Sequence, residues 1–307
     1  MSVTEQPKTL KPNNAPLLPT GSVLLGLASF SAMDAVMKSL SLSLGPYNAI
    51  LWRYAAGLVI IAILYFWQRP SWPDREIMKV HVLRSVMIVF MAYLFFWGLT
   101  RVPLAEGVAL SFIAPLIALY LAAIFLKESI HPKAIWASLF GLSGVAVIAY
   151  EKLTGDYPTD TLWGFAAILL SAILYAGNLV IQRYQAMRVG PIEVSFFQNL
   201  IVFLAYLAVA PWFAIVPEYS AWPTILLAAT LAIVSILLIM WGYARAEAQL
   251  LVNLEYSAFI WAALLGWVYF DEPVTVSTVF GTALIVAGCI MATRRGRPVA
   301  HVETTAI

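Results

Sequence analysis

Eight side chains carry the chemistry open to this sequence, and all of them stand inside long apolar runs: Asp34, Lys38, Arg53, Asn178, Gln198, Glu255, Tyr256 and Trp261. An Asp, Lys or Arg at the centre of a bilayer costs roughly 2.5–3.5 kcal/mol on insertion scales, so such residues persist where they are paired, reach an interface, or face a wet cavity. Asp34 and Lys38 are four positions apart and share one helix face. Asp34 can pair with Lys38, with Arg53, or with a cationic group of a bound molecule; Lys38 can instead snorkel to the surface. Glu255 reads as a deep, desolvated carboxylate with no Lys or Arg within four residues, which makes it the candidate for a protonatable coupling group. Asn178 and Gln198, with Asn199, supply uncharged donors and acceptors. Tyr175, Phe197, Tyr256 and Trp261 offer aromatic faces to a ring or a cation, although packing explains each of them too. This is chemistry of recognition and charge compensation, without a covalent step.

Other chemistries lack their residues. The three histidines, His81, His131 and His301, form no HExxH motif or Cys/His cluster, and no GxxxxGK[ST] loop is present. No metal, nucleotide or other cofactor is therefore expected, and no Ser/His/Asp set falls at one membrane depth, so the chain does not read as an enzyme. A net charge of +2 without a basic cluster offers no footprint for nucleic acid. The one cysteine, Cys289, excludes an intramolecular disulfide and reads as a small packing residue.

The elements that must hold these residues are membrane helices. The chain has 307 residues, 62% apolar and 11% charged, against about 25% charged in soluble domains. About 20 apolar residues cross a bilayer core, and ten such spans are expected: 20–40, 46–67, 81–100, 103–126, 132–150, 161–184, 191–214, 222–243, 247–270 and 273–293. The polar segment 1–19 reads as a disordered cytoplasmic tail, and 294–307 as a second cytoplasmic tail. A cleaved signal peptide is not expected, because the first apolar run is long and contains Asp34 and Lys38. Of the 18 Lys and Arg, thirteen lie in loops on the side of the N-terminus, three on the other side, and Arg53 and Arg84 within spans. By the positive-inside rule both termini face the cytoplasm. Trp67, Trp72, Trp136, Trp163, Trp212 and Trp222 sit near span ends and read as interfacial anchors, whereas Trp52, Trp261 and Trp267 lie deeper.

The second half repeats the first. Trp97-Gly98 and Trp241-Gly242 are 144 positions apart, and at the same offset Arg101 meets Arg245, Phe112 meets Tyr256, Glu128 meets Glu272 and Gly144 meets Gly288. At an offset of 145, Gly45-Pro46 meets Gly190-Pro191, Lys38 meets Arg183, and Arg53 meets Gln198. Five spans per copy make the two copies enter the bilayer from opposite sides, an inverted repeat of the kind common in secondary transporters. The repeats are expected at 20–150 and 161–293. Gly141, Gly144, Gly281 and Gly288 permit close helix approach and offer a homodimer face. Glu128, Glu272 and Arg84 lie near interfaces and suit capping or gate pairing.

Two stretches are similar to known sequences. Pro103 to Tyr150, PLAEGVALSFIAPLIALYLAAIFLKESIHPKAIWASLFGLSGVAVIAY, and Glu255 to Ala292, EYSAFIWAALLGWVYFDEPVTVSTVFGTALIVAGCIMA, resemble the ends of two EamA repeats. The chain resembles the EamA family of the drug/metabolite transporter superfamily over nearly its whole length. That resemblance implies an all-α membrane protein of ten transmembrane helices in two inverted five-helix repeats, with a substrate cavity between the halves and alternating access. It implies a bacterial inner-membrane secondary transporter whose partners are the bilayer and a small organic metabolite: amino-acid-, nucleoside- or vitamin-like, cationic or aromatic. MDAVMK in the first span and HVLR before the third look closest to members that move riboflavin or S-adenosylmethionine. A drug or amino-acid exporter of the same fold is the alternative; a channel or a membrane enzyme stands further off. The second repeat departs from the pattern in having Phe259 where the first has Pro115, so a kink in the fourth span is expected to lack a mate in the ninth.

Overall fold

The computed structural model describes residues 17–68, 72–126, 132–154, 158–186, 188–243, 245 and 254–293. The tails at 1–16 and 294–307, Glu128, and the side chains of Arg183 and Cys289 lie outside the described residues. Among the described residues every regular element is a helix: α1 (Leu17–Leu44), α2 (Pro46–Trp67), α3 (Arg75–Leu99), α4 (Leu104–Ser111), α5 (Ala114–Leu126), α6 (Pro132–Thr154), α7 (Thr159–Ala186), α8 (Pro191–Ala208), the single turn α9 (Ala210–Phe213), α10 (Trp222–Tyr243), α11 (Ser257–Phe270) and α12 (Val276–Thr293). In α1, α2, α3, α7, α8 and α10 there is length and apolarity enough to cross a bilayer, and four shorter apolar stretches lie at 104–118, 138–151, 257–270 and 276–288.

Local chemistry sets the helix starts. Pro46 and Pro191 open α2 and α8, where a missing N–H leaves no intrahelical bond unmade. Gly45 before Pro46 takes φ 79°, a left-handed conformation that suits glycine. Asp74 caps α3, its carboxylate accepting from the Ile77 N–H at 2.8 Å. Asp271 ends α11 in the left-handed region, φ 53°, and the Glu272 N–H turns back to the Gly266 carbonyl at 3.1 Å.

The apolar surface faces outward as well as inward. Val59 and Ile63 of α2, Phe90 of α3, Leu204 of α8 and Leu264 of α11 are exposed, which water penalises and lipid does not. Trp67, Trp72, Trp136, Trp163 and Trp212 are exposed too. Inside, the helices pair closely: α1 on α10, α3 on α7, α2 on α8, α6 on α12, α4 on α11, α1 on α11, and α8 and α10 on α3 and α2 respectively. Small residues allow the approach. A Cβ on Gly98 of α3 would lie 2.8 Å from the Gly164 carbonyl of α7, and one on Gly242 of α10 would lie 2.9 Å from the Pro19 carbonyl of α1. Gly144 of α6 likewise abuts the Gly281 carbonyl of α12.

Both halves break the segment that carries Phe112 or Tyr256. Between α4 and α5 the Phe112 and Ile113 N–H groups bond three residues back, to Ala109 and Leu110, just before Pro115, which has no N–H to continue the ladder. In the second half Tyr256 is a turn residue, and the Phe259 N–H bonds three residues back to Tyr256. The expectation that the ninth span would lack a mate for this break is corrected: it breaks at the corresponding residue without a proline. The ring of Phe112 packs edge-on against that of Tyr256, with centroids 5.5 Å apart.

Candidate functional site

The charged side chains meet where α1, α2, α3 and α7 converge. Asp34 of α1, Arg53 of α2, Arg84 of α3 and Asn178 of α7 are all buried. Arg53 acts electrostatically on Asp34, and Arg84, Asp34 and Glu255 all act on Tyr175 of α7, so these groups share one neighbourhood. The Arg53 guanidinium lies over the Tyr54 ring, 4.0 Å from its centroid. Beside it is a cavity of about 40 Å³ between α2, α8 and α10, lined by Arg53, Tyr54, Gly57, Ser195, Gln198 and Asn199 with apolar residues of α10. Arg53 Nε, Ser195 Oγ and Gln198 Oε1 are buried there without a hydrogen-bond partner.

Arg84 belongs to a second polar cluster, toward the starts of α3 and α8. Its Nε donates to Asn178 Oδ1 at 2.9 Å and its Nη1 to Gln185 Oε1 at 3.3 Å. That turns the Gln185 amide nitrogen to His81 Nδ1, 2.8 Å away, which must accept. The remaining His81 proton is then on Nε2, 3.3 Å from Glu193 Oε1. The repeat mate of Glu193 is the polar Asn48, but the mates of the other four carry none of this chemistry. Ile225 and Ala228 stand for His81 and Arg84, and Met33 and Leu40 for Asn178 and Gln185, all buried in apolar packing.

A third cluster joins the two halves at the opposite end. Lys38 pairs with Glu272 and also donates to the Val102 carbonyl at 2.9 Å. The second oxygen of Glu272 accepts the Leu104 N–H at 2.8 Å, capping α4, whose own N-cap, Pro103, has no side chain that can accept. Nearby, Thr278 donates to Glu106 at 3.3 Å and Thr275 to Glu151 at 2.9 Å.

The candidates read from sequence divide accordingly. Arg53 and Gln198 line one cavity, and Arg53 also acts electrostatically on Asp34. Asn178 is taken up by Arg84. Lys38 neither snorkels nor pairs with Asp34; it is 3% exposed and bound to Glu272. Glu255 is exposed, which corrects its reading as a desolvated carboxylate: it stands at the helix break beside Tyr256. Tyr256 packs on Phe112, and Trp261 is half-buried on α11. Phe197 sits in an aromatic stack with Tyr65, Phe196, Trp72 and His81 rather than in the cavity. Trp52 donates to the Ile215 carbonyl and packs on Trp222 at the molecular end, and Trp267 is exposed. Ser195, His81, Gln185 and Glu106 went unseen. Repeat comparison gives no signal for Glu106, since Leu250 stands at its mate position.

The chain is similar to known proteins over most of its length. The pseudopaline exporter CntI of Pseudomonas aeruginosa is 25% identical over 282 residues, covering 91% of this chain and 97% of its own. The S-adenosylmethionine uptake transporter of Rickettsia felis is 22% identical, covering 87% and 89%. The riboflavin transporter of Brucella anthropi is 23% identical, covering 80% and 86%. A solved crystal structure superposes with a TM-score of 0.61 at 18% identity, covering 89% of this chain and 98% of its own, which establishes the likeness of fold. The EamA-like transporter family matches residues 20–150 and again 162–294. With two copies of the family's unit filling most of its length, this multi-pass membrane protein belongs to the EamA-like transporter family.

Proposed function

We propose that the chain is a secondary transporter that moves a small organic metabolite across the bacterial inner membrane by alternating access. Ten spans form two oppositely inserted copies, both termini face the cytoplasm, and the substrate binds at the seam between the copies. The observation that carries this reading is the meeting of repeat mates at the centre. Arg53 and Gln198 line one cavity, and Phe112 and Tyr256 touch. A pseudo-two-fold axis between the copies brings equivalent residues into contact in this way. The helix pairs support the same operator: α1 on α10 corresponds to α7 on α3, α1 on α11 to α7 on α5, and α2 on α10 to α8 on α3. Even Arg101 over Trp97, at 3.7 Å, has its mate in Arg245 over Trp241, at 4.3 Å. Broken helices facing a central axis are where transporters bind solutes.

Asp34, Arg53 and Gln198 form the site, with Asn178 holding Arg84 beside it and Tyr256 and Trp261 supplying aromatic walls. Glu255 is the coupling residue, on the strength of its electrostatic action on the buried Tyr175 and not of any burial of its own. Lys38 with Glu272 closes the external end. Topology is tested by labelling Arg75→Cys and Glu218→Cys in a Cys289→Ser background: the two must react from opposite faces of the membrane. Transport is tested in proteoliposomes with labelled amino acids, riboflavin and S-adenosylmethionine. Saturable, gradient-sensitive exchange of at least one supports the reading, and labels reaching both cysteines from one face overturn it.

A further inference from the structure

We propose that the groove between the start of α1 and the end of α10 holds an anionic phospholipid, its acyl chain against the leucines and its phosphate on Arg245. The groove, of about 550 Å³, is walled by Leu17, Leu18 and Leu25 of α1 and by Leu237, Leu238 and Trp241 of α10. The one hydroxyl in the wall, on Ser22, donates to the Leu238 carbonyl at 2.9 Å, so its proton is not open to an occupant. Such a wall takes hydrocarbon. Beyond it the Arg245 guanidinium lies over the Trp241 ring, 4.3 Å from its centroid, and donates to the Trp241 carbonyl at 3.2 Å. Arg245 is exposed, and among the described residues no carboxylate lies within 4.0 Å of it.

The other repeat shows what Arg245 lacks. Packing fixes the register: a Cβ on Gly98 meets the Gly164 carbonyl and Ile168 of α7, and one on its mate Gly242 meets the Pro19 carbonyl and Val23 of α1. The starts of α1 and α7 therefore correspond at an offset of 145. Arg101, the mate of Arg245, lies over Trp97 in the same way, but it also donates to Thr100 Oγ1 at 2.8 Å and has Asp160 4.0 Å from its Nε. Alanines stand at both mate positions, Ala244 for Thr100 and Ala15 for Asp160. The groove differs as well: the other repeat has Trp163 and Tyr93 in place of Leu18 and Leu237, and Ala166 in place of Gly21. One end of the molecule thus answers its own cation and lines its cleft with larger side chains. The other keeps an arginine on a tryptophan with the counter-ion and the bulk removed. An anionic lipid supplies both at once, since phosphate oxygens accept from a guanidinium in planar, bidentate fashion and the chain beneath covers apolar surface.

The experiment counts lipids on the purified full chain by native mass spectrometry, with phosphatidylglycerol and phosphatidylethanolamine of the same acyl chains offered in equal amounts. The first lipid bound should be phosphatidylglycerol. Arg245→Gln should lower its occupancy roughly 5-fold, the worth of one cation at an anionic surface, and Arg245→Lys should keep most of it. Arg101→Gln should leave it unchanged. Leu18→Trp with Leu237→Tyr installs the side chains of the other repeat and should lower the binding of both lipids with Arg245 still in place. Glycerol phosphate, a head group without chains, should not compete. Equal binding of the two lipids, an Arg245→Gln chain that keeps its phosphatidylglycerol, or a loss shared by Arg245→Lys overturns the proposal. So does undiminished lipid on the filled groove, displacement by glycerol phosphate, or a dimer of this chain that excludes the lipid. Transport is no part of the readout, so this proposal and the transport reading stand or fall separately.

Discussion

Replacing Glu272 with Gln tests the bond that ties the two repeats together where α1 ends and α4 begins. Lys38 is 3% exposed and the Glu272 side chain 20% exposed. Removing one partner of a buried pair strands the other charge at a cost of roughly 3–5 kcal/mol, and the partial exposure of Glu272 sets the expectation at about 3 kcal/mol. The Gln carbonyl can serve Lys38 or the Leu104 N–H but not both, so one donor also loses its acceptor. At ~2 °C per kcal/mol for a large chain, the unfolding midpoint of the purified protein should fall by roughly 6 °C. Lys38→Met should cost about 1 kcal/mol or less, because it removes the buried cation and leaves the partly exposed Glu272 still capping α4. In the double variant Lys38→Met/Glu272→Gln the amide oxygen is free for Leu104, and no charge is stranded. Its midpoint should return close to that of Lys38→Met, a coupling of about 3 kcal/mol. If the double variant instead falls by the sum of the two single losses, Lys38 and Glu272 do not interact in the folded protein and the argument for this closure fails.

Three further outcomes follow from other parts of the molecule. Gly98→Ala forces a methyl to within 2.8 Å of the Gly164 carbonyl and should destabilise by about 1–3 kcal/mol, whereas Gly21→Ala, with nothing within 4 Å, should leave the thermal midpoint unchanged or slightly higher; equal effects would refute the close α3–α7 packing. Tyr206→Phe deletes the hydroxyl that donates to the Val89 carbonyl at 2.9 Å and should lower stability by about 1 kcal/mol in the same assay; no change would show that contact to be idle. Glu255→Gln should abolish the pH dependence of transport in proteoliposomes while the protein still reaches the membrane, and retained pH dependence would remove Glu255 as the coupling group.

Much of the architecture is legible in one dimension because its causes are local. Apolar runs mark the helices, Gly45-Pro46 and Gly190-Pro191 mark equivalent starts, and the constant offset of Trp97-Gly98 and Trp241-Gly242 marks the repeat. Partner choice is not local. Asp34 and Lys38 share a helix face, yet Lys38 takes Glu272, 234 positions away, because the turn at Asp271 carries that carboxylate across the start of α4. The break at Tyr256 has no proline to announce it; it is supported by packing against Phe112 from the other repeat. Phe197 and Trp52 have composition suited to a pocket, but aromatic stacking and the Ile215 carbonyl hold them elsewhere. Ser195 and Gly57 matter only because α2 and α8 cross there, leaving space that neither helix reveals alone.

The duplication of this chain is one of shape rather than of chemistry. Where α3, α7 and α8 meet, parting the helices would offer water an arginine, a histidine and two amides, all of which it can solvate. Where α10, α1 and α2 meet, the same motion would wet Ile225, Met33 and Leu40, at roughly 1.5–3 kcal/mol for each large side chain. Wetting therefore costs little at the first junction and much at the second, although the helices pair alike at both.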